Sequence, residues 1–284
     1  MLINFGAERC CSHLSFGAVC LNTSEKLWHV ADWRSPLYEQ SMQGRTISLT
    51  PSRTFIADLS HAALGLPQGV VCRRINISAA IAARLAANAV SGVRTPWTAI
   101  FIKAWAEVAQ ELPELRRSYV KLPWPRLFEH HTSVACLMVE REIDGEKVLF
   151  PARIKSPAER SLADIAADVE VAATAPITSI SRNRMILAVS RLPLPLRRLA
   201  WWYAFNMPRH RAHYVGTFGV SAVGHLGASI VHPVSPVTTF LGYGPFADDG
   251  TVDITVGFDH RVMDGALVAR AMALLEVKLQ GIRL

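Results

Sequence analysis

Phe258-Asp259-His260-Arg261-Val262-Met263-Asp264-Gly265 joins two different periodicities. Upstream, Val252, Ile254, Val256 and Phe258 alternate with smaller or polar residues, which predicts a strand over Thr251 to Phe258 with one buried face. Downstream, Val268, Ala271, Leu275 and Leu279 lie on one stripe, which predicts a helix from about Asp264 to Gln280. The octapeptide therefore sets a histidine where a buried strand ends and an Asp-Gly pair where a helix begins. Such junctions suit chemistry, because the strand fixes the backbone while the turn exposes the side chain. Histidine takes a proton from a thiol or hydroxyl near neutral pH, and Asp264, four residues on, is placed to orient it. A plainer use of the same residues is open: Asp264 as a helix cap, His260 as a satisfied boundary histidine.

Outward from this junction, Asp248-Asp249-Gly250 is a hairpin signal between the last strand and one over Val237 to Gly244. Val215 to Val223 and the run from Ser229 read as extended segments separated by glycines, and Ser133 to Ile143 pairs with Lys147 to Ile154 about Asp144-Gly145. One helix is expected over Ile77 to Val90, with Ile77, Ala80, Ile81, Leu85 and Ala89 as its apolar face. A second opens at Pro96 behind Thr95 as N-cap and stops before Pro113. A third follows the capping-box form of Ser161 and Asp164 to about Ala173. Pro123-Trp124-Pro125 reads as a rigid connector. Helices mixed with antiparallel strands, without a βαβ rhythm, predict an α+β sandwich.

Half of the 284 residues are hydrophobic and 19% are charged, which excludes a disordered chain. No uncharged apolar stretch reaches the roughly 18 residues of a membrane-spanning helix, and the N-terminus lacks the layout of a signal peptide. Residues 1–53 hold Cys10, Cys11 and Cys20 and show no sustained period. They are expected to be a weakly ordered extension ahead of a folded domain over residues 54–284, with Met42 as a second candidate start. Five cysteines without ligand or disulfide spacing point to a reducing, cytoplasmic setting and to no metal site. Thirty basic against 23 acidic residues leave a net charge of +7, which favours anionic partners without choosing among them.

The motif His260-x-x-x-Asp264-Gly265 resembles the signature of dihydrolipoyl acyltransferases, the acyl-transferring subunits of 2-oxo acid dehydrogenase complexes. Its short form is shared with chloramphenicol acetyltransferase. Gly216-Thr-Phe-Gly-Val-Ser-Ala-Val-Gly224 is similar to the family's Gly-x-Phe-Thr-Ile-Ser-x-x-Gly strand. The stretch from Pro96 through Pro113-Glu114-Leu115, then His131 to Val139, resembles the family's upstream helix and strand. The likeness covers about residues 54 to 284 and implies a chloramphenicol acetyltransferase-like two-layer sandwich of mixed sheet and helices. It further implies that His260 is the general base toward a thiol or hydroxyl acceptor, that Ser221 donates to the oxyanion, and that Asp264 orients or supports. The implied substrate is coenzyme A, as acyl-CoA or facing an acyl-dihydrolipoamide. The implied assembly is a homotrimer with each site shared across a subunit boundary.

Departures from the family shape the expectation. The chain carries no Asp-Lys-Ala lipoylation turn, so no lipoyl attachment site is expected in it, and Gly219 stands where the family usually has threonine. A stand-alone acyltransferase is therefore expected. A core subunit served by a separate lipoyl protein and a non-catalytic scaffolding relative are the alternatives.

Between residues 182 and 213 lie Arg182, Arg184, Arg191, Arg197, Arg198, Arg209 and Arg211, no acid, and Trp201, Trp202, Tyr203 and Phe205. This stretch reads as a solvated linker, as a contact with an anionic membrane, or as a grip on cofactor phosphates. No motif accompanies the charge that would support nucleic-acid binding. His130 and His131 read as structural, His225 and His232 receive no role, and Gly242-Tyr-Gly244 is not a dinucleotide fingerprint.

Overall fold

The computed structural model describes residues 46–282 apart from 144, 233 and 234. Contacts divide the chain into a unit ending at Ser48 and one beginning at Leu49, and every described helix and strand belongs to the second. The expectation for residues 1–53 and for Met42 falls mostly on residues 1–45, outside the described residues.

In chain order the elements are α1 (Pro51–Ala63), β1 (Gln68–Asn76), α2 (Ser78–Ser91), α3 (Trp97–Glu111), β2 (Arg117–Val120), β3 (Arg126–Glu129), β4 (Val134–Ile143) and β5 (Glu146–Lys155). Then come α4 (Leu162–Thr174), α5 (Ser181–Ser190), α6 (Leu194–Asn206), α7 (Pro208–Tyr214), β6 (Phe218–Ala222), β7 (Thr239–Phe246), β8 (Thr251–Asp259) and α8 (Gly265–Gln280).

Six strands form one sheet in the order β1-β8-β7-β6-β4-β5. The hairpins read from turn residues are antiparallel, but the middle of the sheet is not: β4 with β6, and β6 with β7, are parallel. The sheet is therefore mixed, as the resemblance implied. Parallel neighbours need long connections, so no turn signal announces them. The β4–β6 contact is short, with only Ala135, Cys136 and Leu137 opposite Phe218, Gly219 and Val220. Thr217 reinforces its start: its Oγ1 accepts from the Val134 amide at 2.9 Å, and its own amide donates to the Val134 carbonyl at 2.8 Å.

Alternation along β4 separates two faces. Ala135 and Leu137 join the main core with α3, α4 and α8, whereas Cys136 and Met138 join a second cluster with Ala204, Val215 and Phe240. Helix α3 is buried almost all round, with Phe101, Ile102 and Trp105 fully enclosed. Each such side chain contributes about 1.5–3 kcal/mol of burial. The expected sandwich is this sheet with its helical layer, and α5–α7 add cover on the second face.

Local signals have local outcomes. Pro96, not Thr95, is the N-cap of α3, and no side chain caps it. The Asp164 amide donates to Ser161 Oγ at 3.1 Å, while the serine hydroxyl turns to the Asp164 carboxylate at 2.6 Å, so the capping box closes on its own side chains. In α2 only the first turn of the expected face is buried, and Leu85 is exposed. Val215 to Val223 shortens to the strand β6, and no strand forms from Ser229. The Pro-Trp-Pro connector is the turn between β2 and β3, which pair as a separate ribbon.

Candidate functional site

At the end of β8 a buried ion pair builds the turn that carries His260. The Asp259 carboxylate is almost fully enclosed. It accepts from the Arg261 amide at 3.0 Å, from Arg261 Nε at 2.9 Å and from Arg261 Nη2 at 2.7 Å. The guanidinium lies over the Tyr119 ring at 4.4 Å, a cation–π contact that fixes its plane. The Asp259 amide donates to the Thr238 carbonyl and the His260 amide to the Pro67 carbonyl, each at 2.9 Å. Between two anchored neighbours, the His260 side chain points outward and is 52% exposed.

His260 Nδ1 lies 3.5 Å from Asp264 Oδ1. Asp264 has the extended backbone of an N-cap residue, yet its side chain accepts no capping hydrogen bond and is 85% exposed. The imidazole makes no hydrogen bond among the described residues. Asp264 is thus the N-cap of α8 through its backbone alone, with Leu267 and Val268 donating to its carbonyl. The aspartate faces Nδ1, which leaves Nε2 free to meet a substrate.

Ser221 lies on β6 opposite Gly242 of β7, and Gly242 lies opposite Thr255 of β8. Residues paired in this way share a face, so Ser221 points away from the main core, as Cys72 and Thr255 do. It lines a cavity of about 830 Å³ between the second face of the sheet and α1, α5 and α6. The same register sets Ser221 level with Thr255, four residues before Asp259. At about 3.4 Å per residue and about 4.8 Å per strand, roughly 17 Å separates the Ser221 and Asp259 backbones, and His260 lies one residue beyond. One chain therefore does not bring its own His260 and Ser221 together.

Two glycines, one in the serine strand and one just after it, are explained by close approach. A Cβ on Gly219 would meet the Phe240 ring at 2.4 Å, and one on Gly224 would meet the Gly244 carbonyl oxygen at 2.4 Å. Phe240 fills the space that a threonine at 219 would need, which accounts for that departure.

The Arg-aromatic stretch is three helices, not a linker. Most of its arginines turn inward. Arg197 Nε is 3.0 Å from the buried Asp58 carboxylate without hydrogen-bond alignment, and Arg198 is 3.9 Å from it. Arg182 donates to the His213 and Tyr214 carbonyls, and Arg184 to those of Thr178 and Ser179. Arg211 donates to the Tyr119 and Pro236 carbonyls, so α7 braces the Asp259–Arg261 turn from behind. Burial pushes the guanidinium groups of Arg182 and Arg211 down to about 10, which leaves both charged at neutral pH. Arg184, Arg191 and Arg209 are exposed.

Sequence reasoning missed three contributors. Asp259 and Arg261 flank the histidine directly, and their opposite charges were the available signal. His232 received no role, yet it lines the cavity that Ser221 lines. His130 is buried, with Nε2 3.1 Å from Ser118 Oγ, and desolvation lowers its pKa to about 4, so it is neutral and structural. Among the described residues no cluster of three or more His, Cys, Asp or Glu could hold a metal ion.

No family model and no curated protein matches the sequence. In structure, the chain is similar to the dihydrolipoamide acetyltransferase of Azotobacter vinelandii, studied for the roles of a serine, a histidine and an asparagine in its catalysis. The two share 20% identity over 85% of this chain and 93% of that one, with a TM-score of 0.62. The cubic core of a pyruvate dehydrogenase multienzyme complex matches at a TM-score of 0.61 and 20% identity, over 85% of this chain and 93% of that one. A truncated catalytic core of the 2-oxoacid dehydrogenase complex of Thermoplasma acidophilum matches at 0.61 and 17% identity, over 84% and 99%. The chain has the fold of these catalytic cores.

Proposed function

We propose that the protein is a cytoplasmic acyltransferase that moves an acyl group between coenzyme A and a thiol or hydroxyl acceptor. The observation that carries the reading is the state of His260: outward, without a hydrogen bond of its own, and faced at Nδ1 by an aspartate whose side chain caps nothing. A histidine held this way is suited to proton transfer through Nε2.

The step balances without another reagent. His260 Nε2 takes the proton of the acceptor, whose lone pair forms a bond to the thioester carbonyl carbon. The carbonyl π pair moves onto oxygen, and the Ser221 hydroxyl donates to that oxyanion. Return of the pair breaks the carbon–sulfur bond, and the departing thiolate of coenzyme A takes the proton from the imidazolium. The products are the acylated acceptor and free coenzyme A. An acyl-dihydrolipoamide on a separate protein enters the same scheme as an alternative thioester.

The reading includes a homotrimer. The reacting carbon has to sit about 3 Å from both groups, and the register separates them within one chain. A site completed by a neighbouring copy resolves this, and one structural neighbour is itself a cubic core.

The test is turnover of acyl-CoA thioesters with dihydrolipoamide as acceptor, by wild type and two variants, followed as release of coenzyme A. His260→Ala is expected to lower kcat at least about 10²-fold with the fold retained. Ser221→Ala is expected to lower it on the order of 10²-fold with substrate binding little changed. Wild-type turnover in both variants would overturn the reading and leave a scaffolding protein of the same fold.

A second reading of residues 182–213, contact with a membrane surface, is favoured by Leu194 exposed beside Arg191. No helix among the described residues is long and apolar enough to cross a membrane, so such contact is peripheral. Sedimentation with anionic vesicles should pellet wild type more than Arg191→Gln/Leu194→Gln, and less at high salt. Equal pelleting removes this reading.

A further inference from the structure

The cavity behind Ser221 is far larger than an acetyl group requires. About 830 Å³ lies within the range of dedicated small-molecule sites, roughly 300–1,000 Å³. Resting on the acyl-transfer reading, we propose that this cavity receives the chain of a long apolar acyl group whose thioester carbonyl is held at Ser221.

Direction is the first argument. The attacking thiol or hydroxyl has to lie against the imidazole for its proton to be taken, so it reaches the carbonyl carbon from the histidine side. The carbonyl oxygen lies against the serine hydroxyl. What remains on that carbon is the acyl chain, and the space beside Ser221 on its own subunit is the cavity.

The lining is the second. Met138, Ile186, Val189, Leu196, Trp201 and Phe240 represent a wall that is chiefly apolar. Its two charged members and one serine are engaged elsewhere: Asp58 faces Arg197 and Arg198, Arg182 donates to the His213 and Tyr214 carbonyls, and Ser190 Oγ donates to the Ile186 carbonyl. A polar acyl group would lose its hydration there and gain few partners.

The mouth is the third. Leu192, Leu196 and Leu199 line the cavity and are nonetheless exposed, Leu199 to 59%. Large apolar side chains left in water around an opening mark a place where an apolar ligand covers them.

Trp201 and Trp202 line the cavity, so tryptophan emission reports on its occupancy without relying on turnover. The experiment titrates the full chain with octanoic and hexadecanoic acid and with acetyl-, octanoyl- and hexadecanoyl-CoA, and measures coenzyme A released from the three thioesters with dihydrolipoamide as acceptor. Each methylene moved out of water strengthens binding about fourfold, so octanoyl-CoA should bind more than about 10²-fold tighter than acetyl-CoA. Ala200→Phe, which fills the cavity, and Leu199→Glu, which charges its mouth, should both collapse the ratio of octanoyl to acetyl binding. Leu199 is exposed, so its variant decides the matter if the filled variant fails to fold. Equal binding along the series, or ratios unchanged in the Leu199 variant, overturns the proposal. Turnover of all three thioesters with no emission change rejects the cavity while acyl transfer stands. Chain-length-dependent emission with no turnover of any thioester keeps the cavity and rejects the acyl-transfer reading.

Discussion

Ser221 stands level with Thr255, across two strands and a full four residues short of the turn that displays His260. The two groups that acyl transfer would combine are thus fixed in one rigid sheet at a separation no side-chain rotation closes. Sheet register is among the least adjustable features of a fold, because a one-residue slip exchanges the buried and exposed faces.

The first prediction comes from that separation. His260→Ala and Ser221→Ala should each keep about 1% of the wild-type rate or less alone, whereas their mixture should regain a larger part of it after subunit exchange. Hybrid oligomers contain some interfaces with an intact histidine facing an intact serine. Exchange confirmed by mass, with no return of coenzyme A release, would exclude the shared site. An active monomer in solution would exclude the trimer too.

The second concerns the ion pair beneath the histidine. Arg261→Met leaves the enclosed Asp259 carboxylate without its guanidinium, and removing one partner of a buried pair costs about 3–5 kcal/mol. Asp259→Asn/Arg261→Met removes both charges and should recover much of that loss. Urea unfolding of the three proteins measures it. A single variant as stable as wild type would show that the pair supports the turn little.

The third is a pH effect on stability. His130 has its pKa lowered from 6.5 to about 4 by burial, with Arg211 and Arg116 adding to the shift. Its folded-state pKa lies below the unfolded one, so its contribution is complete above pH 6.5. As pH falls, the unfolded chain takes up the proton first and the contribution declines until the folded state protonates near pH 4. The full loss is about 3 kcal/mol. Denaturant midpoints should fall across that window in wild type, and less steeply in His130→Phe. Parallel profiles would mean other groups carry the acid sensitivity.

What the sequence made legible was local and periodic. β8 and α8 follow from Val252 to Phe258 and Val268 to Leu279, because strand and helix periods differ sharply on either side of His260. The parallel contacts of β6 were illegible, since Phe218 meets Ala135 across 83 positions that contain no turn signal for the pair. The helices of 181–214 announce themselves weakly, because Pro193, Pro195 and Pro208 fall within one residue of a helix start, where a missing amide costs nothing. Arg197 and Arg198 read as free positive charge because their counter-charge, Asp58, lies far away in the chain. In the candidate site the histidine and aspartate were legible as a pair, while the brace from Arg211 and the position of His232 came only with the fold.

The three residue pairs between β4 and β6 make that line a seam between two sub-sheets, β1-β8-β7-β6 on one side and β4-β5 on the other. Past Leu137 and Val220 the strands part, and the diverging residues Met138 and Ser221 both border the hollow behind the serine. The hollow is thus a wedge whose apex is stitched by a few ladder bonds and Thr217. Local unfolding begins where the fewest bonds must break, so the sheet splays here before it melts elsewhere. Opening of that seam would widen the wedge beside Ser221, and amide exchange at Gly219, whose N–H faces β4 as that of Thr217 does, is expected to report it.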